Sequence, residues 1–203
     1  VISHDEVVHL KKSMLEKMPG EPDDKFKNLK AAYTFMFCHP GKKLLFMGQE
    51  FGQLREWSEE RELDWFLLSE EPHQQIQNWY RDLLHLYKKN PALYELDNDP
   101  AGFEWINKDD IFRSIFSFVR KSPTGRNNIL YVVNFTPVAR EDYRVGVPTK
   151  RQCKLVLNSD EKEYGGSGEK RTEIYKPVKK ECDGQKYSFA YPLPAYGVAV
   201  FEY

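Results

Sequence analysis

The sequence predicts an α/β unit followed by an all-β unit. Before about residue 95, short apolar runs typical of buried strands alternate with helical periods, which is the order of elements in α/β proteins. After that point, seven to eight short β-prone segments follow one another with turn residues and no helix between them, which is typical of an antiparallel sandwich. We therefore expect two domains, residues 1–95 and residues 96–203.

Composition limits the classes of protein to which the chain can belong. Hydrophobic residues make up 40% and aromatic residues 14% of the chain, which is enough for a packed core. The formal net charge of −1 gives no electrostatic case for binding nucleic acid or an anionic membrane, and no apolar stretch approaches the roughly 18 residues of a membrane span. Three widely spaced cysteines form no zinc or disulfide pattern, and no secretory leader is visible. We expect a cytoplasmic protein with reduced thiols and no cofactor or metal.

The first residues carry an adjacent histidine and aspartate. The β-branched pair Val1-Ile2 is followed by small and polar residues, as where a buried strand ends. In parallel α/β proteins ligands bind at that end of the strands, so His4 and Asp5 are candidate site residues. The alternative is structural, because Ser3 and Asp5 are both good N-caps and could simply begin a helix.

Two other kinds of site are excluded at this position. His4 and His9 are five residues apart rather than four, so their imidazoles do not share a helix face as metal ligands. Ser3, His4 and Asp5 cannot form a catalytic triad, because the side chains of three consecutive residues point apart. The residues alone therefore leave a ligand site and a helix cap as the two interpretations.

A helix and a strand are predicted next. Capping residues at 23–24 precede apolar residues that recur every three or four positions from Phe26 to Phe37, and the lysines between them, including Lys30, are expected on another side of the helix. His39-Pro40-Gly41 ends the helix. The apolar run Leu44–Met47 is predicted to be a strand covered on both faces, as in a parallel sheet.

A long loop rich in tryptophan and charge follows that run. It begins at Gly48, passes Trp57 and reaches Trp65. Loops of this length and composition are more often functional than structural filler. A second helix is predicted from about Pro72, with a broad apolar face, and Asn90-Pro91 ends it.

The second unit is predicted to contain only strands and turns. The β-prone segments are 103–106, 114–119, 129–135, 143–147, 154–157, 187–191 and 197–201. The stretch Gly165–Gly168 looks like a phosphate loop, but no Lys-Ser/Thr pair follows it and no helix begins behind it. We interpret it as a flexible loop tip.

Motifs in both units resemble those of branching enzymes. The stretches that carry the resemblance are Ser3–His9, Lys42–Phe51, Arg55–Trp57, Leu63–Trp65, Asn134–Val138, Tyr143–Pro148, Leu157–Asn158 and Tyr164–Gly168. Together they cover nearly the whole chain. The sequence resembles the C-terminal part of 1,4-α-glucan (glycogen) branching enzymes, which belong to the α-amylase family, glycoside hydrolase family 13.

This resemblance implies a fold and a reaction. The chain would hold the last two β/α units of a (β/α)₈ barrel, followed by the C-terminal β-sandwich. Branching enzymes are glycosyltransferases of glycogen biosynthesis. They cleave an α-1,4 bond of an α-glucan such as glycogen or amylose and re-form it as an α-1,6 branch by retaining double displacement. The motif match implies that Asp5 stabilises the transition state and that His4 is its sugar-binding neighbour. Glu6, Trp57 and Trp65 are further candidate substrate-binding residues.

The chain departs from the family pattern in two respects. A glycine is expected after His9, where this chain has Leu10, and glycine alone takes positive φ readily. The motifs of the aspartate nucleophile and the glutamate acid/base lie upstream in the family and are missing here. We therefore expect the isolated chain to be inactive.

Two further expectations concern partners and alternatives. Strands taken from a closed barrel leave unpaired edges, so we expect the first unit to be partly rearranged, self-associated or covered by the rest of a barrel. One alternative function is a non-catalytic glucan-binding module, because the tryptophans at positions 57 and 65 could stack on sugars. The other is a fragment of a different α-amylase-family enzyme.

Overall fold

Two long helices dominate the first part of the chain in the computed structural model, which describes all residues from Val1 to Tyr203. The helices are α1 (Met14–Lys17), α2 (Pro22–Cys38) and α3 (Glu71–Lys89). Both predicted helices, α2 and α3, are present, and each has a proline in its first turn, where a missing N–H group is tolerated. The short α1 was not predicted. None of these helices is both long and apolar enough to cross a lipid bilayer.

The rest of the chain forms two antiparallel sheets. The strands are β1 (Phe103–Asn107), β2 (Ile115–Arg120), β3 (Ile129–Asn134), β4 (Arg140–Val147), β5 (Cys153–Asn158), β6 (Ile174–Tyr175), β7 (Tyr187–Leu193) and β8 (Val198–Glu202). Six of them lie in the order β1-β2-β3-β8-β5-β6, and β4 pairs with β7 in a separate two-stranded sheet. The seven predicted segments correspond to seven of these strands, which confirms the antiparallel all-β unit. The two-residue β6 was not predicted.

The central strand β3 is buried on both faces. All six of its residues are buried. Leu130 and Val132 belong to a 14-residue core that also contains residues of β4 and β7, whereas Tyr131 and Val133 belong to a 21-residue core that also contains residues of α2 and α3. Because successive side chains of a strand point to opposite faces, this one strand contributes to two cores.

The 21-residue core joins the two predicted domains. It combines Tyr33 of α2 and Trp79 of α3 with sheet residues of β2, β3, β5 and β8. Lys30 lies inside the same interface and is only 2% exposed, because the segment around Tyr164 covers this side of α2 and its carbonyl accepts a hydrogen bond from the Lys30 ammonium group. The division at residues 95 and 96 therefore stays a prediction, and it crosses a shared core.

The predicted strand Leu44–Met47 is reduced to a single bridge. Ile2 and Leu45 form one parallel bridge, in which the Ile2 amide donates to the Leu44 carbonyl at 2.7 Å. Leu44 is 46% exposed and Met47 is 48% exposed, so the prediction of a strand covered on both faces was wrong. A parallel strand forms a ladder only when neighbouring strands lie beside it, and here the pairing is limited to one residue on each side.

The stretch Gly165–Gly168 is exposed at three of its four residues, as expected of a loop tip, but it is anchored by the residue before it and by a close backbone contact. Tyr164, directly before it, is 5% exposed, and its ring centroid lies 4.9 Å from that of Trp79. A Cβ atom on Gly166 would clash with the backbone of Asp160. The glycine at 166 is therefore required by a close approach of two chain segments.

Candidate active site

A capping box shapes the segment that carries His4 and Asp5. Residues His4–Glu6 form a single turn of 3₁₀ helix. The Ser3 hydroxyl accepts a hydrogen bond from the Asp5 amide at 3.2 Å, and Glu6 Oε2 accepts from the Ser3 amide at 2.5 Å and from the Ser3 hydroxyl at 2.9 Å. The hydrogen bond from the Ser3 hydroxyl is the main reason why the pKa of Glu6 lies below its ordinary value. The cap interpretation is thus confirmed for Ser3, with Glu6 as its partner.

The capping box leaves the side chains of His4 and Asp5 open to solvent. They are 60% and 69% exposed, and His4 Nε2 lies 3.4 Å from Asp5 Oδ1. An ionised carboxylate only accepts hydrogen bonds, whereas an imidazole can donate them. The pair therefore offers adjacent acceptor and donor groups, which suits neighbouring hydroxyl groups of a ligand. Glu6 differs, because one of its oxygens is already engaged by Ser3.

An aromatic row, consisting of His4, Phe46 and Trp57, lies beside the pair. The ring centroids of His4 and Phe46 are 6.0 Å apart, and those of Phe46 and Trp57 are 5.2 Å apart. Trp65 is 51% exposed, and its ring lies 5.1 Å from that of Phe51. The structure thus brings Trp57 to the histidine through Phe46, whereas Trp65 pairs with a different ring.

An ion pair closes the long loop that carries both tryptophans. The Arg55 guanidinium donates to both carboxylate oxygens of Asp64, with 2.9 Å between Nε and Oδ2, and the Asp64 side chain is only 4% exposed. The Asp64 amide also donates to Gln53 Oε1 at 3.1 Å. Mainly the hydrogen bonds from Arg55 lower the pKa of Asp64. Hydrogen bonds between residues of the loop itself therefore stabilise its conformation.

A turn with an unusual backbone follows the pair. His9, Leu10 and Lys12 have positive φ angles of 58°, 64° and 68°. The position at which glycine was expected thus takes the conformation that favours glycine, but with a leucine whose side chain is 94% exposed. Both carboxylate oxygens of Glu56 accept hydrogen bonds from this turn, from the amides of Leu10 and Lys12. Sequence reasoning missed Glu56, and its only signal was its place within the Arg55–Trp57 motif.

The chemistry that this arrangement can perform alone is limited. Retaining cleavage of a glycosidic bond needs two carboxyl groups, one as nucleophile and one as acid/base, on either side of the sugar. No group of three or more His, Cys, Asp or Glu residues is arranged to hold a metal ion. A cavity of about 530 Å³ lies elsewhere, between β5 and residues 161–173, and none of the candidate site residues lines it. The site is thus an open surface with one exposed carboxylate, that of Asp5.

Comparison with known sequences relates both parts of the chain to one group of proteins. The family described as alpha amylase, C-terminal all-beta domain, matches residues 105–203. The chain is 54% identical to the 1,4-alpha-glucan branching enzyme GlgB of Butyrivibrio fibrisolvens and 46% identical to that of Aquifex aeolicus. Each match covers 100% of this chain and 32% of the relative. The chain therefore spans about a third of the length of the curated relatives it matches.

A solved structure supports the fold over nearly the same length. The protein Ttha1563 from Thermus thermophilus superposes with a TM-score of 0.63 at 20% sequence identity, covering 98% of this chain and 34% of that chain. At this identity the likeness concerns the fold alone. It includes the helical first part as well as the sheets.

Proposed function

We propose that the chain is part of a 1,4-alpha-glucan branching enzyme, since it matches about a third of the length of such enzymes at 54% and 46% identity, and that it contributes one catalytic carboxylate, Asp5, to that enzyme. The enzyme would cleave α-1,4 bonds of an α-glucan and re-form them as α-1,6 branches. One observation carries the proposal. The His4–Asp5 pair is exposed on a capped turn in a chain that is 54% identical to a branching enzyme.

In this proposal Asp5 binds the distorted sugar ring. The transition state resembles an oxocarbenium ion, in which the ring flattens and gains positive charge. A carboxylate that accepts hydrogen bonds from ring hydroxyls and stabilises this state more than the ground state accelerates the reaction. His4 donates to the same hydroxyls from a position 3.4 Å from Asp5. Trp57, at the end of the aromatic row, offers an apolar face to a neighbouring sugar.

The remaining catalytic groups are proposed to come from other strands of a (β/α)₈ barrel. Residues 1–95 would be its last two β/α units, which fits the parallel bridge between Ile2 and Leu45 and the two helices that follow the bridged residues. The exposed side chains of Leu44 and Met47 fit an interface with further strands or with a second copy of the chain. A cytoplasmic location is part of the proposal, because all three cysteines are free thiols.

The isolated chain is expected to be inactive. Removal of a covalent nucleophile alone lowers the rate of an enzyme by several orders of magnitude, and the proposal places both the nucleophile and the acid/base outside this chain. When the chain is incubated with amylose, we expect no shift of the iodine absorption spectrum. Formation of branched product by the purified chain would contradict this part of the proposal.

A graft tests the role of Asp5. We would replace the matching third of the Butyrivibrio fibrisolvens enzyme by this chain and measure branching of amylose. The Asp5→Asn variant is expected to lose at least about a hundredfold to a thousandfold in kcat, as is typical when one group that stabilises a transition state is removed. Asp109→Asn is the matched control, because Asp109 is an exposed carboxylate in the loop between β1 and β2. Its activity should not change.

The graft also separates the competing functions. An active graft in which Asp5→Asn works as well as the control would exclude Asp5 from catalysis. New reducing ends without branches would indicate a hydrolase of the α-amylase family. An inactive graft together with glucan binding by the isolated chain would favour the alternative of a binding module.

The binding module is a second candidate because Trp65 is half exposed in a loop. Stacking on a sugar would make Trp65→Ala weaken binding of maltoheptaose by up to about tenfold, as measured by titration calorimetry. Phe66→Ala is the matched control, because Phe66 is adjacent and 67% exposed. Equal binding of maltoheptaose by the wild type, Trp65→Ala and Phe66→Ala would exclude Trp65 from sugar binding.

A further inference from the structure

We propose that Glu56 is a positioning residue, which holds the turn His9–Lys12 in its left-handed conformation and thereby fixes the segment that carries Asp5. The inference rests on the proposed function, since it assigns Glu56 to the same site. Glu56 is separated by 46 and 44 residues from its two partners, Leu10 and Lys12, so its contacts tie together two distant loops. The residue does not itself touch the substrate in this proposal.

The geometry of the contact is that of a clamp. Glu56 Oε2 lies 3.1 Å from the Leu10 amide nitrogen, and Oε1 lies 2.5 Å from the Lys12 amide nitrogen. The next residue, Trp57, donates its amide to the Val7 carbonyl at 3.1 Å. Two adjacent residues of one loop therefore bind three backbone groups of the segment Val7–Lys12. Val7 itself is fully buried, which anchors the start of this segment.

The turn needs such a clamp because of its backbone. Three of its four residues have positive φ, a region in which a side chain with a Cβ atom is strained. Strained conformations of this kind persist only where the surrounding structure imposes them, and they concentrate at functional sites. A carboxylate is well suited to impose this one, because each of its two oxygens accepts a strong hydrogen bond from one of two converging amides.

The turn is also bonded to the segment of Asp5. Lys11, at its centre, donates from Nζ to the Asp5 carbonyl at 2.8 Å. The backbone of Glu56 is also fixed, because the Arg61 guanidinium donates to the Glu56 carbonyl at 2.8 Å. A displacement of the turn would therefore be transmitted to the backbone that carries the proposed catalytic carboxylate.

The first test uses the chain alone and does not depend on catalysis. Glu56→Gln keeps the shape of the side chain but replaces one acceptor oxygen by a donor. We expect the amides of Leu10 and Lys12 to exchange with deuterium at least about tenfold faster, measured by NMR, because a hydrogen bond to a charged group is lost. Amides of β3 report whether the variant is folded, and Glu59→Gln, an exposed glutamate in the same loop, is the control. Unchanged exchange in the turn of folded Glu56→Gln would overturn the proposal.

The second test asks for a rescue that a general role in folding would not give. In the graft we expect Glu56→Gln to lower kcat about tenfold while KM changes little, because a group used in the transition state is displaced. Adding Leu10→Gly should restore most of the loss, since glycine adopts positive φ without support, whereas adding Leu10→Ala should not. Equal losses with and without Leu10→Gly would overturn the positioning role. If the graft is inactive with Glu56 present, the proposed function fails, and the exchange measurement still decides whether Glu56 holds the turn.

Discussion

Residues 1–95 and residues 96–203 differ in how their strands are completed. In the second region each of the eight strands has a partner within the chain, and the pair of β2 and β3 extends over six residues of each strand. In the first region the only pairing between the strand-like segments is the single bridge between Ile2 and Leu45. The antiparallel pairs include strands adjacent in sequence, such as β1 and β2, and distant ones, such as β3 and β8, and all of them form within residues 96–203. Strand pairing is therefore satisfied in the second region and limited to one bridge in the first.

The first region is nevertheless firmly attached to the second. Beside the shared core, the buried Arg120 guanidinium on β2 joins them, because it donates from Nη1 to the carbonyl of Cys38, the last residue of α2, at 2.9 Å. Within the second region Arg120 is held by an ion pair, with 2.6 Å between Nη2 and Asp97 Oδ1. The first region is therefore held by contacts between side chains and helix ends rather than by its strands.

The largest expected effect comes from breaking this attachment. Arg120→Met should lower the free energy of unfolding by about 3–5 kcal/mol, because it leaves the carboxylate of Asp97 buried without a partner. We would measure it by urea denaturation, with tryptophan fluorescence and circular dichroism as two probes. Coincident transitions are expected for the wild type, since one core spans both regions, and separate transitions for the variant.

Two further variants control this experiment. Lys121→Met removes the neighbouring pair of Lys121 and Glu104, whose side chains are 39% and 33% exposed, and should cost less than about 1 kcal/mol. The double variant Arg120→Met/Asp97→Leu removes both buried charges and should recover part of the loss. If Arg120→Met is no less stable than Lys121→Met, Arg120 does not hold the two regions together.

A smaller effect concerns the buried amine in the interface of α2. Burial lowers the pKa of Lys30 from 10.5 to about 8, so the unfolded chain binds more protons than the folded chain between these values. Stability linked to Lys30 is therefore greatest above the unfolded pKa and is lost as the pH falls towards the folded one. Compared with Lys30→Met, the wild type should gain about 2 kcal/mol of unfolding free energy between about pH 7.5 and about pH 10. The comparison is made as a difference, so that the ionisation of other groups in this pH range cancels.

Lys25→Met is the control for this measurement. Lys25 lies on the same helix, and its ammonium group donates to the Glu16 carbonyl at an exposed position. Its pH profile should run parallel to that of the wild type. Parallel profiles for Lys30→Met as well would show that the ammonium group remains solvated in the folded chain.

Sequence reasoning succeeded where contacts are local. The period of three and four residues in α2 and the run of β-prone residues in β3 are set by neighbouring residues, and both elements lie close to their predicted bounds. His4 and Asp5 were identified from a contiguous motif, although their roles remain a proposal. The same motif comparison marked Leu10 as a departure, and the structure shows that its backbone does take a positive φ.

Sequence reasoning failed where contacts are distant. The burial of Lys30 depends on Tyr164, 134 residues later, and the clamp of Glu56 on Leu10 spans 46 residues. Neither contact leaves a local periodic signal. The exposure of Leu44 was missed for a related reason, because an apolar run predicts a covered strand only if the covering strands belong to the same folded chain.

The smallest expected effect on stability is at the apolar run Leu44–Met47. Variants of this run also test most directly whether residues 1–95 have an open edge. Leu44→Ser/Met47→Ser replaces two half-exposed apolar side chains beside unpaired backbone, so the free energy of unfolding should change by less than about 0.5 kcal/mol per residue. If the open edge causes self-association, sedimentation velocity should show oligomers of the wild type at high concentration and a monomer of the double variant. Ile111→Ser/Phe112→Ser is the matched control, because these residues are 79% and 92% exposed but lie in the antiparallel region. Loss of association in the control alone would place the adhesive surface on the second region instead.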